Sequence, residues 1–219
     1  MRKLLYKEII LSTNIQIVLF ATFALFILIP SWPPAIAFVY PLSGLMTLFP
    51  RGLANRDIEY TSLLPVKKTD VVKGKCLYFI TIELVVALIA IIGGSIRFFF
   101  YPEPTKATEI AYYFATRPSI SLLGIAFIAF GLMNWILLAT YYPNPYKRLA
   151  IPNLISIFSC SIILAIGSFV IAFVPPLREY DLVGWITQIS TLVGGLILFV
   201  LFSFIGYKSG AKAFTKVDL

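Results

Sequence analysis

The chain has 219 residues, 59% of them hydrophobic and only 13% charged, with a mean hydropathy of +0.91. Soluble domains carry about 25% charged residues, so this composition is that of an integral membrane protein, with no length left for a second folded domain. The net charge of +8 reads as cations retained on one side of a bilayer rather than as nucleic-acid binding. The chain contains no histidine, which excludes Ser-His and Cys-His nucleophile pairs and His-ligated zinc or haem.

Residues 1–11 read as a short amphipathic helix. Lys3 and Lys7 lie four apart on one face, while Leu5 and Ile9, with Tyr6 and Ile10 beside them, fill another. Such a segment suits the membrane interface, with its cations near anionic headgroups. The alternative is a signal-peptide n-region, but no A-x-A-like site follows the next apolar run, which meets Pro30, Trp32, Pro33 and Pro34 instead.

No charge occurs from Ile9 to Pro50. At ~1.5 Å per residue this stretch is about twice the ~30 Å hydrocarbon thickness, so it predicts two spans, Ile15–Ile29 and Pro34–Phe49, joined by the proline turn. The second is short, as in a thinned or broken entry. Arg51–Lys75 follows, the longest charged interval, with six of the eighteen Lys and Arg residues and three of the ten acids.

Cys76–Ile96 is the third predicted span, interrupted by Glu83. Residues 97–117 are rich in Tyr and Phe and fit a hairpin at the far interface. Pro118–Tyr146, Leu149–Leu177 and Leu182–Tyr207 are the fourth, fifth and sixth spans, and KSGAKAFTKVDL is the tail. Alternate loops then hold fourteen cations on one side against four on the other. The expected architecture is therefore all-α, six transmembrane helices preceded by an interfacial helix, with both termini cytoplasmic. No internal repeat of the paired-half transporters is visible. Cys76 and Cys160 lie apart in apolar runs and read as small packing residues rather than as a disulfide or metal pair.

Two places carry candidate function. Asn55–Leu64 fits a short helix ended by Pro65, with Asp57, Tyr60 and Leu64 on one face and Arg56 and Glu59 to the side. It is either a docking element for a soluble partner or a solvated loop of the usual cations. Asp70 favours the start of the third span. Glu83 lies ~12 Å along its helix from Lys75, and an acid at that depth is a candidate functional group. Its alternative reading is a protonated acid bonded to a neighbouring helix. Asn134, Asn153 and Gln188 read as interhelical hydrogen-bonders. Gly93-Gly94, Gly194-Gly195 and the Gly206–Gly210 spacing permit close helix contact.

The run LLPVKKTDVVKGK, Leu63 to Lys75, preceded by an acid-bearing short helix, resembles the permease subunits of type-2 ABC transporters. Phe214-Thr215-Lys216-Val217-Asp218-Leu219 is similar to a basic-acidic-Leu ending common among them. Lys67 stands where many bacterial members have a serine, which passes the capping role to Thr69. The resemblance implies that Arg56, Asp57, Glu59, Tyr60, Leu63, Leu64 and Pro65 form a coupling helix for a separate ATPase. The chain has no G-x-x-x-x-G-K-[ST] loop of its own, so ATP would be bound by that partner and no cofactor by this chain. The resemblance further implies two permeases, as a homodimer, with two ATPases in a bacterial cytoplasmic membrane. Among small permeases the chain is similar to the phenol-soluble modulin exporters of Gram-positive bacteria, which implies amphipathic peptides or similar hydrophobic substrates. The residues alone leave open an autonomous, proton-coupled carrier working through Glu83. A third reading, an intramembrane enzyme, would need nucleophile chemistry without histidine.

Overall fold

The computed structural model describes residues 2–29, 32–63, 65–100, 118–145 and 150–217. Of these residues 85% are helical and none is in a strand. Five helical segments are long and apolar enough to cross a membrane. They are Ile36–Ala54, Lys68–Phe100, Ile120–Tyr141, Ala150–Phe173 and Leu182–Phe214. The chain is a multi-pass membrane protein.

The N-terminal helix α1 (Arg2–Ser12) is followed by α2 (Ile15–Thr22) and a 3-10 turn over Phe23–Leu28. Asn14 caps α2 by accepting from the Ile17 amide at 2.8 Å. The axis bends by 87° between Leu4–Ser12 and Ile15–Leu28. The tightening to three residues per turn brings Phe23 directly beneath Phe26, and their rings stack at 4.9 Å. The first predicted span, Ile15–Ile29, is thus formed almost to the residue but is short, and it joins the five long helices as a crossing only together with α1.

The second predicted span, Pro34–Phe49, is α3 (Ile36–Met46) continued past a break at Thr47 into α4 (Leu48–Ala54). Pro50 sits in the first turn of α4, where its missing N–H costs little. The missing donor leaves the Met46 carbonyl open, and the Asn153 amide donates to it from another helix at 3.4 Å. The short helix α5 (Asp57–Ser62) comes next, then α6 (Lys68–Phe100). The charged interval Arg51–Lys75 is therefore mostly helical. It is the end of α4, all of α5 and the first two turns of α6, because charged side chains at a membrane edge do not interrupt helical hydrogen bonding.

At 33 residues α6 is about 50 Å long, well beyond the ~30 Å hydrocarbon core. It begins at Lys68, one residue before the expected capping Thr69. At its far end Arg97 is buried and donates to the Ile27 carbonyl at 3.0 Å, so it closes the end of the 3-10 turn. Residues 101–117, the rest of the expected hairpin, lie outside the described residues.

Helices α7 (Ile120–Tyr141), α8 (Ala150–Phe173) and α9 (Leu182–Phe214) complete the bundle. Helix α7 is the central one, packed against both α8 and α9. Contact with α9 is at backbone distance: a Cβ on Gly195 would lie 2.2 Å from the Gly124 carbonyl oxygen, and one on Gly206 2.8 Å from Trp135 Cα. The Gly206–Gly210 spacing therefore continues a single seam against α7, with Gly210 set against the Leu138 carbonyl. Gly194, its Cβ direction open, faces away. The outer faces of α8 and α9 are lined with exposed Ile, Leu, Val and Phe, as lipid contact requires. The expected tail is largely helix: α9 runs to Phe214, whose buried ring packs on Tyr142, and Lys68 donates to the Val217 carbonyl.

Candidate functional site

The short helix α5 hangs beneath the bundle on a backbone turn. Arg56, just before it, has φ 51°, the one positive φ of a non-glycine residue among the described residues. A left-handed arginine costs roughly 1 kcal/mol, so tertiary contacts must hold it. Asp57 and Glu59 in the first turn suit the positive end of the helix.

The contacts are supplied by a closed ring of four charges. Lys7 Nζ is 2.7 Å from Asp57 Oδ1, and Asp57 Oδ2 is 3.3 Å from Lys75 Nζ. Lys75 Nζ is 2.5 Å from Glu8 Oε2, and Glu8 Oε1 is 3.3 Å from Lys7 Nζ. Two cations and two carboxylates thus alternate around a neutral ring that joins α1, α5 and α6. Three hydroxyl interactions fill its remaining valences: Ser12 donates to Glu8 at 3.0 Å, Lys75 to Ser12 at 3.1 Å, and Lys7 to Thr61 at 2.5 Å. Gly74 faces α1 here, and a Cβ on it would meet Leu4 at 3.6 Å, an ordinary packing contact.

Burial alone would push the Asp57 carboxyl up, but the ammonium groups of Lys75 and Lys7 pull harder and hold it below its ordinary value of 3.8. Buried ion pairs add little net stability over an apolar core, yet breaking one strands a charge. The ring therefore fixes position: it sets α5 over one point of α1 and α6.

Each residue of the expected coupling set has a definite place, Leu64 excepted, which lies outside the described residues. Asp57 points into the ring, whereas Tyr60 is 68% exposed and Leu63 81% exposed. Asp57 is thus drawn inward while Tyr60 stays open to solvent. Arg56 and Glu59 form an exposed pair at 3.7 Å, and Pro65 is exposed. Beside α5 a cleft of about 300 Å³ opens between α1 and α4, lined by Leu11, Leu48, Arg51, Asn55, Asp57 and Tyr60 among others.

Three ring members were not expected as site residues. Glu8 is a single acid among the N-terminal cations, and Lys75 counts in sequence as one more loop cation. Lys7, expected to face lipid headgroups, points into the protein, while Tyr6, Ile9, Ile10 and Leu11 form the exposed face of α1. A lone acid in a basic segment and a lysine at the start of a span are the only sequence signals of this ring.

Glu83, on α6, is fully buried and accepts from Asn134 Nδ2 of α7 at 2.8 Å. The same amide donates to Ser203 Oγ of α9 at 3.0 Å. Glu83 Oε1 and Asn134 Oδ1 have no hydrogen-bond partner. Cys76 and Cys160 are free and buried, their thiols directed at the Ser203 and Ala129 carbonyls. Gln188 bridges segments, accepting from the Ile120 amide at 3.1 Å and donating to the Glu179 carbonyl at 2.7 Å. Comparison of the chain with protein-family models, with curated proteins and with solved structures finds no match.

Proposed function

We propose that the chain is the membrane-spanning permease subunit of an ATP-driven ABC exporter, with α5 as the element that receives a separate ATPase. The observation that carries this reading is α5 itself, a two-turn helix beyond the spans. It turns Tyr60 and Leu63 outward, while Asp57 ties it to α1 and α6 through the four-charge ring. A push on such a helix is passed to two membrane segments at once. The adjoining cleft offers a receptor for a side chain of the partner.

In this reading α2 and its 3-10 turn make a sixth crossing preceded by the interfacial helix α1, both termini are cytoplasmic, and the membrane is that of a bacterium. Two copies of the chain assemble with two ATPases to enclose a path for amphipathic peptides or similar apolar substrates. The test is co-purification with the candidate ATPase. Tyr60→Ala with Leu63→Ala should cost about 2–4 kcal/mol of its affinity while membrane insertion is kept. Wild-type affinity in the double variant would falsify the docking role of α5.

Glu83 favours a second reading, a carrier driven by a proton gradient, because one oxygen of this buried carboxyl is unpartnered. Proteoliposome transport with ATP and a pH gradient imposed separately divides the two readings. Gradient-driven transport without ATP that vanishes in Glu83→Gln would establish the carrier.

A further inference from the structure

At the end of the bundle away from α5, a cavity of about 420 Å³ opens among the ends of α6, α7 and α9 and the 3-10 turn. Its wall is hydrocarbon and aromatic ring, with Ile27, Phe98, Leu122, Tyr180 and Trp185 contributing. One buried hydroxyl on this wall is without a partner: that of Ser119, a residue only 6% exposed.

Ser119 is the N-cap residue of α7, where a serine ordinarily bonds the amide two or three residues on. Here it makes no such bond. The Ile120 amide is taken by Gln188, and the Tyr180 hydroxyl donates to the Pro118 carbonyl at 3.0 Å. The surrounding polar groups are thus satisfied by side chains from other segments, and the serine hydroxyl is left over at the cavity wall.

Size and chemistry select the occupant. At ~30 Å³ per molecule the space equals about fourteen waters, but ordered water needs two to four polar partners each and the wall is almost wholly apolar. One turn of an α-helix, ~10 Å across and ~5.4 Å high, would fill the whole volume, so an amphipathic peptide helix does not fit. A single hydrocarbon chain fits, apolar along its length, with one neutral hydrogen-bonding group at its end. We propose that this cavity binds a single aliphatic chain of the monoacyl-lipid class, its neutral head accepting from the Ser119 hydroxyl. The inference stands apart from the permease reading and survives its failure.

The probe is a C16 monoacylglycerol brominated in the chain, which quenches tryptophan on contact. Trp32→Phe with Trp135→Phe leaves Trp185 at the cavity as the sole reporter. Titration into the protein in nanodiscs should give saturable quenching at one site. Gly94→Leu should weaken binding at least tenfold, because a Cβ at Gly94 meets only side-chain atoms at 3.5 Å or more and a leucine would grow into the cavity. Ser119→Ala should weaken it about threefold to tenfold, the worth of one hydrogen bond. A brominated two-chain phosphatidylcholine should quench only in linear proportion to its amount. Linear quenching by the single-chain probe, unchanged in Gly94→Leu, overturns the site, and saturable quenching by the two-chain lipid overturns its single-chain nature. Should the tryptophan variants fail to fold, native mass spectrometry decides with the unmodified chain. One bound monoacylglycerol, absent from Gly94→Leu, supports the site; binding to both or to neither overturns it.

Discussion

Lys75 and Glu8 meet at 2.5 Å, one from the start of a long membrane helix and the other from the N-terminal helix that crosses beneath it. Both are almost wholly buried, so each is the condition for the other. Around them Lys7 and Asp57 close the ring, and α5 gains its position from the two bonds that Asp57 makes to Lys7 and Lys75.

Lys75→Met should destabilise the protein by about 3–5 kcal/mol, because it leaves two buried carboxylates, Glu8 and Asp57, sharing the single cation Lys7. Adding Glu8→Gln should recover part of the loss, since the surplus charge is then gone. Unfolding midpoints in one detergent, across the two single variants and the double, measure the coupling. Strictly additive losses would show that the pair does not act as a unit.

The Asp57 carboxyl sits below its ordinary value of 3.8, so the stabilising linkage is complete above that value and is lost as pH falls through the depressed folded value. The anchoring of α5 should therefore be constant from neutral to mildly acidic conditions. A spin label on Leu63→Cys, selective because both native cysteines are buried, should keep one lineshape from about pH 8 to about pH 5. Its mobility should rise only below 3.8. Release near neutral pH would mean that Asp57 does not hold the helix.

Asn134→Leu should cost about 1–3 kcal/mol, because Glu83 Oε2 and Ser203 Oγ lose their shared donor in an apolar surround. Ser203→Ala, which leaves the Glu83 bond in place, should cost less. Equal costs would place the weight on Ser203 rather than on the carboxyl.

Two adjacent glycines should behave in opposite ways. Gly195→Ala drives a methyl into the Gly124 carbonyl and should destabilise by about 1–3 kcal/mol or more, whereas Gly194→Ala meets nothing and should be neutral. Unfolding of the two variants side by side is the check, and a loss of equal size in both would contradict the seam.

The spans are legible in the sequence because an uncharged run bounded by proline or cations has one physical reading in a bilayer. The start of the Leu182–Tyr207 span is recovered, Ile15–Ile29 is recovered as helix though not as a span by itself, and Asn153 does bond across helices. The extensions of α4, α6 and α9 into charged sequence were not legible, since Arg51, Lys73 and Lys212 are good helix residues once a helix has begun. The Glu8–Lys75 contact is long-range, and nothing local distinguishes Lys75 from Lys73, which is exposed. The inward turn of Asp57 depends on the left-handed Arg56, a conformation no arginine announces in advance.

The glycine seam between α7 and α9 has a consequence for synthesis in the cell. Helix α8 leaves the ribosome between them, yet it packs on the other side of α7 and takes no part in the seam. During that interval α7 carries Asn134 with its amide unsatisfied on the α9 side and a row of bare backbone at Gly124 and Gly131. Helix α7 is thus a half-finished surface that only a later helix can close. A chain interrupted within α9 would leave that surface open to lipid.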